Sequence, residues 1–472
     1  MAKYDAVIVG SGPNGLAAGI VLQQAGLTTL LIESRPTIGG GMRSAELTLP
    51  GYVHDICSAI HPFGVGSPFL RTLPLHEFGL EWVYPEAAVA HPFDEGTAIL
   101  LKKSIEDTAQ QFGKGAKSYQ DLMQPIVKDW EKIAPDFLGP FTLPKYPFLF
   151  TSFGLKAVQS ARSIAFRYLK EKYSRGFFAG IAAHSILPLD KVVSAGIALV
   201  LGALGHKVGW PFPKGGAQKL ANAMGSYYKS LGGIIQTQFE VRAMAEIPST
   251  QVVLFDITPQ HLLQLEGLDF PHLYRRQLQN YRYGPGIFKV DWALSGSIPF
   301  KAKDCLKAAT IHLGGTFEEI AEAEKLPWQG QHAEKPYVLL VHQTPFDAIR
   351  APEGKHTAWG YCHVPNGSTV DMTARIENQI ERFAPGFKDT IVARHTMNTV
   401  EVNRYNANYI GGDIIGGAAT LSQLFTRPAI RWSPYTTPKK GIYICSSSTP
   451  PGGGVHGMCG YHAARKVLRD LK

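Results

Sequence analysis

The sequence predicts an α/β protein in which one parallel-sheet domain is interrupted by a separate α+β region. Three observations predict it. An apolar run at 6–9 leads directly into Gly10-Ser11-Gly12-Pro13-Asn14-Gly15 and a helical pattern from Leu16, and a second apolar run, Thr29-Leu30-Leu31-Ile32, ends on Glu33. Beyond residue 61 this alternation gives way to long helical periodicities and then to runs rich in β-branched and aromatic residues. At the far end, 441–445 again reads as a buried strand, followed by a Ser/Pro/Gly loop and a helix over 455–471.

The first element is a strand, helix, strand unit with the glycine spacing and the acid of a Rossmann-like dinucleotide fingerprint. Gly10 allows the tight turn, Gly12 lets the backbone approach a diphosphate, and Gly15 lets the helix lie close to the strand. Pro13 and Asn14 open the helix, whose free N–H groups and partial positive charge favour an anion there. Glu33 suits the hydroxyls of an adenosine ribose and repels a 2′-phosphate, which favours FAD or NAD over NADP. The next element, Ser34-Arg35-Pro36-Thr37-Ile38-Gly39-Gly40-Gly41-Met42-Arg43, is a second glycine-rich turn carrying cations. A single NAD site has no use for it. An extended FAD does, because its diphosphate and ribityl chain run past the first turn toward Gly40, Gly41, Met42 and Arg43.

The middle of the chain predicts a helix over 106–130 and an amphipathic helix over 152–173, with Ala157, Val158, Ala161, Ile164, Ala165 and Tyr168 on one stripe. Phe137, Phe141, Tyr146, Phe148, Phe150 and Phe153 precede or open it, and Lys156, Arg162, Arg167, Lys170 and Lys172 decorate it. Such a stretch is either a membrane-contact element or a helix covering its own core with a solvated basic face. Residues 192–208 are apolar but shorter than the ~20 residues a membrane crossing needs, which predicts a buried helix. A helix over 217–231 and strands at 232–235, 241–244 and 252–256 follow. Strands at 286–292, 337–342 and 357–363, a capping box Thr316-Phe317-Glu318-Glu319 on a short exposed helix, and a helix over 372–383 complete the insert.

The segment 33–43, with Leu49-Pro50-Gly51-Tyr52-Val53-His54-Asp55 after it, resembles the opening of the phytoene desaturase-like flavoproteins, a family that includes carotenoid desaturases, carotenoid isomerases and retinol saturase. Gly411-Gly412-Asp413, Gly416-Gly417, Arg427-Pro428, Tyr435-Thr436-Thr437-Pro438, Gly441-Ile442-Tyr443 and Gly452-Gly453-Gly454-Val455 follow that family's closing segment. The resemblance implies a Rossmann-like FAD-binding domain of the GR2 type made of 1–61, 214–260 and 400–472, and a discontinuous α+β substrate domain made of 62–213 and 261–399. It places Val241 beside the adenine. Gly453, Gly454 and Val455, leading into the closing helix, would face the flavin ring. The implied activity is desaturation, saturation or isomerisation of a C–C bond in a lipophilic, isoprenoid or carotenoid-like substrate, by hydride transfer with flavin N5.

The rest of the sequence narrows the field. The 472 residues, 45% hydrophobic and 18% charged, describe a folded protein of two to three domains. A net charge of +9 suits an anionic surface, yet no nucleic-acid module or dense Lys/Arg tract accompanies it. Five irregularly spaced cysteines form neither a CxxC pair nor a metal site, which predicts a reducing, cytoplasmic setting. The first apolar run belongs to the cofactor strand, so it does not read as a signal peptide. No second GxGxxG follows a strand, so electrons are expected to pass to or from an external partner such as oxygen or a quinone. His61 and His456 lie where they can approach the flavin and are the candidate acid–base residues, although a lone histidine is more often a hydrogen-bonding structural residue. Two rival readings share the scaffold: a flavin amine oxidase, which faces its flavin with an aromatic pair, and a non-redox binding protein of the GDP dissociation inhibitor kind.

Overall fold

The computed structural model describes residues 3–472. Its first sheet, among the described residues, has five strands in the order Ile442–Ile444, Thr250–Phe255, Tyr4–Val9, Thr29–Ile32, Ile234–Gln236, all parallel. Parallel strands need coverage on both faces, and the sequences VIV, TLLI and VVLF are accordingly apolar without alternation. The helices Pro13–Gln24, Gln218–Ser230 and Met458–Asp470 cover one face through Leu16, Ile20, Leu220, Met224, Ala463 and Val467. Phe255, Leu262, Leu265, Leu268 and Tyr274 build the core on the other.

Among the described residues the second sheet has seven strands in the order Ile391–Met397, Gly286–Leu294, His356–Val364, Val338–Val341, Thr310–Leu313, Val89–Pro92, Ala98–Leu101. It is antiparallel except where Thr310–Leu313 lies beside Val89–Pro92. Gly286–Leu294 is buried on both faces. Phe288, Val290, Trp292 and Leu294 pack against Ile376, Ile380 and Phe383 of the helix Thr373–Phe383, while the alternate residues face the interior of the molecule.

The helical part departs from expectation in its breaks. The single helix expected over 152–173 is three helices, Pro147–Ala157, Ala161–Tyr168 and Lys172–Ala182. Ser160 stops the first and starts the second, its hydroxyl accepting from the Ser163 amide at 3.0 Å. Of the expected stripe, Ala161, Ile164 and Ala165 are buried, but Val158 is exposed. Likewise 106–130 is divided into Ile105–Gln110 and Ala116–Lys128, and Val241 to Met244 is not a strand but a loop entering a short 3-10 turn, Met244–Glu246. The capping box at Thr316 and Glu319 is present, although its helix, Phe317–Lys325, is half-buried through Phe317, Ile320, Ala323 and Glu324 rather than exposed. Ser194–Lys207 forms the buried helix expected of 192–208.

Candidate functional site

The carboxyl ends of the parallel strands open onto a cavity of about 850 Å³ that continues to the inner face of the second sheet. At one end the turn after Tyr4–Val9 places Gly10, Gly12, Pro13 and Asn14 on its wall, with Glu33, Ser34 and Arg35 beside them. Gly40, Gly41 and Arg43 come from the second glycine turn, Val241 from the loop after Ile234–Gln236, and Gly453, Gly454 and Val455 from the closing loop. His61 also lines the cavity. The two glycine turns interlock: a Cβ on Gly40 would stand 2.9 Å from the Gly12 Cα.

Three predicted site residues are not on that wall. Gly15 lies under the turn, where a Cβ would meet the Gly10 carbonyl oxygen, so its role is packing of helix on strand. Met42 is fully buried in the core beneath the parallel sheet. His456 is taken by the closing helix. That helix starts at Met458 and not at 455, because Gly452, Gly454 and Gly457 have positive φ values that an α-helix does not admit. His456 Nδ1 accepts from the Met458 amide at 3.0 Å, so it caps the helix, and the bare helix end expected behind Gly454 is displaced by three residues.

Glu33 is held ready by its neighbours. Its Oε2 accepts from the Ser11 amide at 3.0 Å and from the Ser11 hydroxyl, and its Oε1 accepts from the Arg35 amide at 2.9 Å. Arg43, expected to meet a diphosphate, lines the cavity and also braces this carboxylate, with Nη2 at 3.2 Å from Oε1 and 2.8 Å from the Thr37 carbonyl. The carboxylate therefore keeps one geometry before any ligand arrives.

Sequence reasoning missed Asp256, which ends the strand Thr250–Phe255 and faces the glycine turn. Its Oδ2 accepts from the Gly15 amide at 2.9 Å and would lie 2.7 Å from a Cβ on Gly12. Burial pushes its pKa up to about 7, against the Gly15 amide, which favours the ionised form, and with the Glu33 charge adding to the rise. A strand ending in Phe-Asp was visible in the sequence, but nothing local marks the carboxyl as the partner of a helix 241 residues away.

The other end of the cavity is apolar. Ile197 and Leu201 of the helix Ser194–Lys207, together with Leu339, Val341, Trp359 and Tyr361 of the second sheet, line it. Strand register explains this convergence. Thr310, Val341 and Trp359 form one cross-strand row, and His312, Leu339 and Tyr361 the next, two residues on and hence on the same face. The Trp359 and Tyr361 rings stack at 5.9 Å with an interplanar angle of 11°. His61 sits at the junction, buried and unpartnered at Nδ1 among the described residues, and burial lowers its pKa to about 4. It is neutral near pH 7, able to give or take one hydrogen bond. The acids on the cavity wall, Glu33, Glu240, Asp256 and Glu266, all lie at the dinucleotide end.

The residues fit an extended dinucleotide. A backbone cradle that a side chain would fill, a braced carboxylate, and unpartnered polar atoms at Asn14 Oδ1 and His61 Nδ1 are present where such a ligand needs them. The NAD(P)-binding Rossmann-like domain matches residues 8–73. Pyridine nucleotide-disulfide oxidoreductase domain-containing protein 2 of Mus musculus is 26% identical over all of this chain and 94% of its own length. Phytoene desaturase (lycopene-forming) of Pantoea ananas is 24% identical over 98% of this chain and 99% of its own. The fold is shared with an oxidoreductase from Methanosarcina mazei, with a TM-score of 0.67 at 15% identity over 98% of this chain and 99% of that one. Relatives that align from end to end, and not only across the nucleotide turn, make the chain similar over its whole length to oxidoreductases that include the phytoene desaturases.

Proposed function

We propose that this protein binds FAD and uses it to desaturate, saturate or isomerise a C–C bond of a lipophilic, isoprenoid-like substrate. The observation that supports this most is the division of one cavity into a polar, backbone-lined half at Gly10–Asn14 and Glu33 and an apolar half at Ile197, Leu201, Leu339 and Val341. Bound FAD would supply a two-electron acceptor or donor for hydride. The chain's own work is to hold the ribose on Glu33, to seat the diphosphate against Gly12, Pro13 and Gly40, and to exclude water from the apolar half. Electrons then pass to or from an external partner such as oxygen or a quinone.

A second reading, a flavin amine oxidase, draws on the stacked Trp359 and Tyr361. The absence of any carboxylate at the apolar end, among the described residues, argues for a neutral substrate over an ammonium ion. Anaerobic bleaching of the flavin spectrum by polyenes and not by simple amines tests the choice, and peroxide release with amines alone reverses it. Bleaching by neither class, with FAD bound, favours the non-redox binding role.

A lipophilic substrate must be collected from a membrane, and we propose peripheral, salt-sensitive contact through 137–172. Phe141, Leu143, Phe148 and Leu155 are exposed there, with Lys145, Lys156, Arg162, Arg167 and Lys170 around them. Phe141 meets Phe425 edge-on at 5.3 Å, which joins this patch to exposed Ile430 and Trp432, a stretch the sequence did not single out. Lys172 is spent on Glu95. No helix among the described residues is long and apolar enough to cross a membrane.

A further inference from the structure

The apolar end of the cavity contains one polar feature that none of the reading above uses. His184, from the turn after the helix Lys172–Ala182, lines the cavity, and its Nε2 lies 2.9 Å from Nε2 of His312. His312 is fully buried on the strand Thr310–Leu313, and Trp210 packs edge-on against His184 at 5.5 Å. His184 Nδ1 has no protein partner among the described residues and is open to the cavity. Beside it Thr310, two residues from His312 on the same sheet face, also lines the cavity with its buried hydroxyl unpartnered among the described residues.

His91 bears on the direction of this hydrogen bond. His91 Nε2 is 2.8 Å from the Gly315 carbonyl, which only accepts, so His91 carries its proton on Nε2 and presents a bare lone pair at Nδ1. A Cβ on Gly180 would stand 2.9 Å from Nδ1 of His91 and 2.9 Å from Nδ1 of His312, so these two nitrogens flank the same point. Neither Nδ1 has a hydrogen-bond partner among the described residues, and of the two neutral tautomers of His312 the one with its proton on Nδ1 is attracted to the His91 lone pair where the other is repelled. In that tautomer His312 Nε2 accepts and His184 Nε2 donates between the pair. His184 Nδ1 then points a lone pair, not a proton, into an otherwise apolar chamber. Burial keeps both rings neutral: His184 is lowered to about 3 and His312 well below its ordinary value.

We infer that His184 accepts a hydrogen bond from a hydroxyl of the substrate, so that the apolar end takes a lipophilic alcohol in preference to the corresponding hydrocarbon. This rests on the proposal that the apolar half holds a lipophilic substrate. His184 is then a specificity residue, and His312 and His91 are positioning residues that set its tautomer.

The test measures binding to the FAD-loaded protein by quenching of tryptophan fluorescence, using farnesol, its methyl ether and farnesene as probes. The ether keeps the oxygen but has no proton to give. Wild type is expected to bind farnesol about tenfold more tightly than either of the others. His184→Phe is expected to bring farnesol to the level of the ether and the hydrocarbon. Ether bound as tightly as alcohol by wild type, or alcohol preference kept by His184→Phe, overturns the inference, and the wild-type comparison stands even if the variant does not fold. Equal binding of all three overturns the hydroxyl anchor alone, whereas binding of none overturns the lipophilic-substrate reading as well.

Discussion

The two ends of the cavity are built in opposite ways. The dinucleotide end comes mostly from short contiguous segments, and most of what it offers a ligand is backbone and one braced carboxylate. The apolar end is made of single side chains from strands and helices far apart in sequence, brought into two rows by sheet register. Recognition by backbone requires that side chains be absent, which glycine spacing records. Recognition by side chains leaves no local trace, because any one Leu, Val or Trp there is equally a core residue.

The difference can be broken by substitution, and the largest effect is expected at Gly12. Val there meets the Asp256 carboxylate as well as the space a diphosphate needs, so Gly12→Val should lose FAD almost completely in an extraction assay. Full FAD content in that variant would mean that the site lies elsewhere.

Asp256 gives the next effect. A carboxyl whose pKa rises from 3.8 to about 7 on folding is neutral in the folded protein over a range where the unfolded chain has already ionised. The folded state then holds the extra proton, so apoprotein stability falls as pH rises from about 4 to about 7 and is level above that, by up to about 4 kcal/mol at about 1.4 kcal/mol per tenfold change in acidity. Asp256→Asn should flatten this part of the denaturant-derived stability profile. A profile unchanged by the substitution would remove Asp256 as its source.

At the apolar end the converse is expected. Trp359→Ala removes ring area from the cavity wall, and should weaken lipophilic substrate binding by about 1.5–3 kcal/mol while FAD content stays at the wild-type level. Loss of both together would show that the two ends do not act separately.

These contrasts also explain what was legible in the sequence. Gly10, Gly12, Pro13, Asn14, Glu33, Gly40, Gly41 and Arg43 were readable because their spacing is local, and all line the cavity. Met42 and His456 were misplaced because adjacency to a motif says nothing about which way a side chain turns: one entered the core and the other capped a helix. Asp256, His184 and Trp359 were illegible because their positions depend on pairings between strands and helices tens to hundreds of residues apart. The breaks in the helix expected over 152–173 escaped notice for a smaller reason, since Ser160 reads as one polar residue in a helical stripe until its hydroxyl is seen to cap.

Two smaller effects sharpen the comparison. Glu33→Ala removes the ribose acceptor and leaves Arg43 only the Thr37 carbonyl, and should weaken FAD by about 1–3 kcal/mol in a titration of apoprotein. Changing Lys156, Arg162, Arg167 and Lys170 to Glu should release the protein from anionic liposomes at low salt, since each cation contributes about 1 kcal/mol near the surface. Equal pelleting of variant and wild type, or none of either, would assign the basic stripe to solvation alone.

The most direct measurement is the flavin content of the purified protein, read from its visible spectrum and from the cofactor released on denaturation. The account predicts a yellow protein with stoichiometric FAD that Gly12→Val lacks and Trp359→Ala retains. A colourless protein that cannot be reconstituted with FAD would contradict it.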